Sequence, residues 1–418
     1  MAATVDETIA LGPFTVNMAT ARLRRDGVDI ELRPQAFRAL KVLIQNSGRL
    51  VDLDQMLREA WDGVQVSRHT VAVTIGEVKN ALKECGDWIT CRPKLGYCLE
   101  IPESEYLIRT GRHFRAQFTP SGFANALNCF QQAAQRDSAD FRAVEAIASL
   151  HLLRAAFLMG SPLASHRAFL DALNKAVALR GWTAELRIDR AYGLMVFEGK
   201  AEEAETELLA IRRESPPSAD SCARLAMVTA IRGRLDEALA FNMQAQAADE
   251  LLPPMAFVGT ILRLLRREFD LAAAYGKKAL DLHPASSFGR IHYAEALEHL
   301  GQRREAAKQY RLAQVINPEV PWIRAQGARF LAKIGRTAEA QEVLEDLQSV
   351  RATEYVDGYH LALLLDALGK REAAFAELER AYEEKSFMVL LIDLDPKADS
   401  IRKSARFARL RDKFIPAA

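Results

Sequence analysis

The residues best placed to do chemistry lie between Val66 and Lys83, VSRHTVAVTIGEVKNALK. Ser67 is a good helix N-cap, and Val71, Ile75, Val78 and Leu82 recur at helical spacing, so one face of a helix is apolar and must be buried. The opposite face carries His69, Val73, Gly76, Lys79, Asn80 and Lys83. These side chains are short or polar and leave room for a long, curved partner, and a nucleic-acid groove fits that description. Arg49, Arg58, Arg68, Arg92 and Lys94 are the other cations near this stretch that could meet phosphates. If about four of these seven cations did so, log affinity would fall with log salt at a slope of about −4.

A helix of this kind needs a small domain behind it. Apolar alternation predicts one strand through Leu11-Gly-Pro-Phe14-Thr-Val16 and a second through Val28–Leu32, joined around an Asp26-Gly27 turn. Pro34 opens a helix with Phe37, Leu40, Leu43 and Ile44 on one face, and Gly48 stops it. Asp52 opens another, with Gln55 expected to reach back to it and Leu53, Met56, Leu57 and Trp61 buried. After the Val66–Lys83 helix, Trp88–Cys91 and Tyr97–Ile101 read as a hairpin around Arg92–Gly96. Strands, three helices and a closing hairpin describe a winged helix-turn-helix, whose third helix enters a major groove while the hairpin touches a neighbouring phosphate backbone.

Several motifs resemble one family. Leu32-x-Pro34-x-x-Phe37-x-x-Leu40, Gly48-Arg-Leu-Val-Asp-Leu53, Trp61, Val66-Ser-x-x-Thr-Val-x-Val-x-Ile75 and Pro93-Lys-x-Gly-Tyr97 are similar to the OmpR/PhoB-type transcriptional effector domain, nearest its one-component, CadC/HilA-like branch. The resemblance covers residues 9–101. It implies a DNA-binding regulator with double-stranded DNA as partner, contacted through Arg49, Arg68, His69, Val73, Gly76, Lys79, Asn80, Lys83, Arg92 and Lys94. Gly76, Glu77 and Leu95 depart from the family, which commonly has arginines or other polar donors in that helical turn and arginine at that wing position.

Beyond residue 120 the dominant signal is a period. Gly199, Gly233, Gly301, Gly335 and Gly369 stand on a grid of 34 residues, with Arg267 at the remaining node. Five residues on come Ala204, Ala238, Ala272, Ala306, Ala340 and Ala374; twelve on, Ile211, Ala245, Ala279, Ala313, Leu347 and Ala381; seventeen on, Pro216, Pro284 and Pro318. Helix, glycine turn, helix and proline, with small residues where helices cross, is the tetratricopeptide repeat pattern. The expected architecture is therefore mainly α, an N-terminal α+β winged helix-turn-helix followed by an all-α solenoid. Its parts are the winged helix at 1–102, a packed connector at 103–119 and atypical repeats at 120–184. Six regular repeats follow at 185–388, and a C-terminal capping segment at 389–418. Arg224, Arg263, Arg290, Tyr293 and Arg324 fall on first helices, which usually line the concave side, and suit a protein or peptide partner in the groove. Self-association as a homodimer is a further expectation.

Composition bounds the alternatives. With 56 basic and 55 acidic residues the formal charge is +1, and the first 102 residues carry 13 of each, so any DNA contact must come from local placement of charge. Five cysteines with no CxxC spacing fit reduced thiols in a cytoplasmic protein. No apolar run approaches the roughly 18 residues of a membrane span. His283, His292 and His299 lack metal-ligand spacing, and Asp393 and Asp395 beside Pro396 read as turn formers. No Gly-rich phosphate loop, GxSxG or HExxH is present, so neither an enzyme nor a cofactor is expected. The rival reading is a repeat scaffold whose winged helix no longer binds DNA and serves as a docking module.

Overall fold

The computed structural model describes residues 8–25, 28–214, 218–248 and 253–414. It divides into two compact units, Met1–Arg109 and Thr110–Ala418.

In the first unit an antiparallel sheet of β1 (Thr8–Leu11), β2 (Phe14–Asn17), β3 (Arg22–Arg25) and β4 (Val28–Ile30) runs in sequence order. The single strand expected across Leu11–Val16 is two strands. Gly12, at φ +63°, and Pro13 form a two-residue turn that sets Leu11 opposite Phe14, and both side chains are buried on the same face. Strand β3 was hidden by its three arginines, and only Leu23 points inward. The Asp26-Gly27 turn lies outside the described residues.

Helices α1 (Pro34–Gln45), α2 (Leu53–Ala60) and α3 (Arg68–Ala81) follow, with β5 (Leu50–Asp52) between the first two. Asp52 caps α2 by accepting from Gln55 N–H (2.7 Å), but the Gln55 side chain does not return to it and bonds Asn46 Oδ1 and Glu59 Oε1. Strands β6 (Ile89–Arg92) and β7 (Gly96–Leu99) make the wing, and β5 pairs with β7 to give the order β5-β7-β6. Phe14, Leu40, Leu43, Val51, Met56, Val71, Val78 and Leu99 meet in one core beneath all three helices.

Gly96 shows what the wing requires. Its φ is +146°, and a Cβ there would stand 2.1 Å from the Val51 carbonyl oxygen. Gly96→Ala is therefore expected to unpair β5 from β7 and to lower stability by about 1–3 kcal/mol, read as a fall in urea midpoint.

The connector is helical. α4 (Glu103–Arg115) begins with Glu105 buried and accepting from Gly12 N–H (3.2 Å), whereas Tyr106, in a connector expected to pack, is exposed. In the second unit Gly111 of α4 lies against Phe130 of α5 (Pro120–Arg136), so the helix pairs begin here. The atypical pair is α6 (Phe141–Ala156) with α7 (Pro162–Arg180). The six regular pairs are α8 (Ala184–Glu198) with α9 (Ala201–Glu214), α10 (Ala219–Ile231) with α11 (Leu235–Ala248), and α12 (Pro253–Leu265) with α13 (Phe269–Leu282). Then come α14 (Ser287–His299) with α15 (Arg303–Ile316), α16 (Pro321–Lys333) with α17 (Thr337–Val350), and α18 (Gly358–Ala367) with α19 (Arg371–Glu383).

Every grid node has positive φ, from +62° at Arg267 to +88° at Gly335, because the left-handed residue turns the chain from one helix into the next. The alanines five residues later are buried at the helix crossings. Pro284 and Pro318 sit just past the ends of α13 and α15; Pro216 lies outside the described residues.

The last segment does more than cap. Ile392, Ala398, Ile401 and Phe407 do cover the final pairs together with α20 (Asp399–Arg402) and α21 (Ala405–Phe414). Phe387 and Leu391, however, join a core with Phe123, Leu150, Phe288 and Trp322, and Leu390 reaches Gly199. The array thus curves until its early and late pairs meet: Trp322 Nε1 donates to the Phe157 carbonyl (3.2 Å), and Asn317 Nδ2 to that of Phe118 (3.2 Å). Residues 387–397 run along the inner side. Among the described residues no helix is long and apolar enough to cross a membrane.

Candidate nucleic-acid interface

Ser67 caps α3 as expected, accepting from Thr70 N–H (3.1 Å), and Val71, Ile75, Val78 and Leu82 are buried. Arg68, His69, Val73 and Asn80 are exposed, Lys79 is half-buried, and Val73 keeps 51% of its surface. Gly76 has open space where a Cβ would project. Lys83 does not belong to this face: it has φ +47° and begins a tight turn over Lys83–Trp88. That turn folds back until a Cβ on Gly86 would stand 2.4 Å from the Lys79 carbonyl oxygen. The wing tip carries Lys94 at φ +69° with Leu95 exposed, and Arg92 shares its charge with Glu100 across the hairpin (3.3 Å). Arg49 is exposed in the loop between α1 and β5.

Glu77 does not stand as an uncompensated negative charge on α3. Arg33, just before α1, donates from Nε (2.7 Å) and Nη2 to Glu77 Oε2, and its backbone N–H approaches Oε1 (3.4 Å). These bonds hold the Glu77 carboxyl below its ordinary range. Nothing in the sequence pattern links two residues 44 positions apart, which is why Arg33 was missed. Arg33→Gln is expected to leave the melting temperature nearly unchanged, because the pair is largely exposed, yet to weaken DNA binding by unmasking Glu77. Binding titrations of Arg33→Gln beside an Arg33→Gln/Glu77→Gln double variant would read this, with the second change restoring affinity.

Comparison with known proteins bears on this unit. Residues 27–99 match the family profile described as "Transcriptional regulatory protein, C terminal". The N-terminal unit carries an OmpR/PhoB-type regulatory domain. The transcriptional activator CadC of Escherichia coli K12 is 25% identical over 116 residues, 27% of this chain and 23% of that protein. The regulatory protein KdpE of Mycobacterium tuberculosis is 28% identical over 72 residues, 17% of this chain and 32% of that one. The chain thus spans a third or less of the length of these relatives. The chain is similar in fold to the solved structure of a monomeric IFIT1 mutant with Gppp-AAAA, at TM-score 0.50 and 15% identity over 84% of this chain and 87% of that one.

Outside the OmpR/PhoB-type domain, the five residues expected in a partner groove are not brought together. Arg263 stacks on Tyr275 and bonds the Gly259 carbonyl (3.0 Å), and Arg290 bridges Gln309 and the Pro284 carbonyl (both 2.6 Å). Arg324 pairs with Asp346, and Tyr293 packs on Gly276. Arg224 alone of the five lines the inner cavity, paired with Asp189 (2.5 Å) and Asp220 (2.9 Å). The histidines serve packing: His299 stacks on Phe269 at 4.2 Å, and His283 meets the Phe257 ring edge-on. Among the described residues no cluster of three or more His, Cys, Asp or Glu could hold a metal. Asp395 accepts from Tyr359 Oη (2.8 Å) and Lys397 N–H (2.9 Å), the work of a turn former.

Proposed function

We propose that this chain is a cytoplasmic DNA-binding transcription regulator in which α3 lies in a major groove, the wing holds a phosphate backbone and the helical array carries control. One observation supports it most: the outward face of α3 is free of uncompensated negative charge, because Arg33 clamps Glu77, and its middle is flat at Gly76. A groove can approach such a surface closely. Arg49, Arg68, His69, Val73, Gly76, Lys79, Asn80, Arg92 and Lys94 form the proposed contact set, with Lys83 flanking it. A single winged helix buries only about 600–1,000 Å² on DNA, so useful affinity calls for paired binding, and the array would supply self-association, a protein partner or effector sensing.

The scaffold reading draws support from two exposed apolar side chains, Val73 on α3 at 51% and Leu95 at the wing tip at 58% exposure. Salt-titrated binding of the full chain to promoter fragments selected by genome-wide pull-down separates the two. A regulator gives discrete sites and a log–log salt slope near −4, reduced by about 1 in each of Lys79→Ala and Arg92→Ala. Binding indifferent to salt and to both changes would leave the docking module.

A further inference from the structure

The curved array encloses a cavity of about 540 Å³, a size that suits a small molecule. Its body is aromatic: Phe118, Phe157, Phe288 and Trp322 follow one another edge to face or tilted, with centroids 5.0, 5.2 and 5.3 Å apart. Met227 and Ile261 close one side and Phe387 of the returning C-terminal segment another.

Charge in the wall is distributed unevenly. Arg224 is matched by Asp189 and Asp220, and Lys397 by Glu295 (2.7 Å) and Asp395 (3.1 Å). Arg115, at the end of α4, also lines the cavity, and among the described residues no carboxylate lies within ion-pair distance of it. Burial, Arg112 and Arg224 press its guanidinium toward losing charge, and Asp189 and Asp220, which are bonded to Arg224 and not to Arg115, oppose them only from a distance, so the net direction is down. An arriving anion would relieve that cost.

We propose that the cavity binds a small amphipathic carboxylic acid, with its carboxylate on the Arg115 guanidinium and its apolar body against the Phe118, Phe157, Phe288 and Trp322 wall. The site rests on reading the array as the sensing half of the regulator, and it specifies what is sensed. A single anionic end is required because the cavity's other cations already have partners, and the aromatic wall selects an apolar remainder.

Displacement of anilinonaphthalene sulfonate from the full-length protein by decanoate, with decanol as the uncharged match, tests this. Arg115→Gln should weaken decanoate about tenfold or more and leave decanol unchanged, since only the charged hydrogen bonds are lost. Ile261→Trp, which fills the cavity, should remove both while the circular dichroism spectrum and melting temperature persist. Equal effects of Arg115→Gln on acid and alcohol, or displacement that survives in Ile261→Trp, would overturn the proposal. DNA affinity of the ligand-free protein is measured separately: decanoate binding without DNA binding keeps the site and removes the regulator, and the converse removes the site alone.

Discussion

Arg329→Met is expected to destabilise the array by about 3–5 kcal/mol, because it strips the cation from a buried ion pair and leaves its carboxylate behind. Arg329 on α16 is 1% exposed. Its Nη1 and Nη2 donate to Glu298 on α14 (3.0 and 2.6 Å), and its Nε donates to Gln326 (3.0 Å). Tyr310 Oη adds a bond to Glu298 (2.9 Å), so three helices converge on one carboxylate. Against burial, which alone would raise it, Arg329 holds the Glu298 carboxyl down at about 2. Since the folded value lies below the unfolded one near 4.5, this stabilisation is fully present above about pH 4.5 and is lost as pH falls toward 2. Urea unfolding followed by circular dichroism should show the parent losing stability across that window and Arg329→Met showing a flatter profile. Arg329→Met/Glu298→Gln should recover much of the loss, since the buried carboxylate, left with only the half-exposed Lys333 (3.2 Å) as its cation, is then gone.

That network shows where sequence reading reaches its limit. The 34-residue grid was legible because a positive φ between two helices favours glycine, and five nodes obey that preference. Arg267 breaks the rule at a backbone cost of about 1–2 kcal/mol. Its guanidinium makes two bonds to Asp399 (2.7 and 2.8 Å), and that partner, 132 residues away, could not be read from the grid. The winged helix was legible through its apolar stripes, which fix α1, α2 and α3, whereas β3 and β5 are short and bury only one residue each. The path of residues 387–397 along the inner side had no local signature, because an apolar run such as Phe387–Ile392 reads as core wherever it is buried. The same holds for Arg33 and Glu77: pairs set by tertiary approach leave no periodicity behind. The cavity follows from how far the array curves, which depends on small helix-crossing angles accumulated over several repeats.

Val73→Glu is the sharpest test of what α3 does. Val73 is 51% exposed and outside the buried stripe, and glutamate is the better helix former, so the melting temperature should hold or rise slightly. If the face enters a major groove, the new carboxylate meets phosphate repulsion and displaces an apolar contact. Affinity for specific DNA should then fall about 10–100-fold, the range of one good base contact. Gly76→Ala sets the control. Its Cβ would enter open space, so the helix should gain up to about 1 kcal/mol, and any loss of DNA affinity must come from steric exclusion and not from unfolding. A chain in which both variants fold well and both lose DNA has α3 seated against the groove along its length. If Val73→Glu alone loses affinity, the groove stays clear of Gly76 and the contact is confined to the N-terminal half of the helix, around Arg68, His69 and Val73. If both bind as the parent does at every salt concentration, α3 does not read DNA, and the exposed Val73 and Leu95 belong to a protein-docking surface.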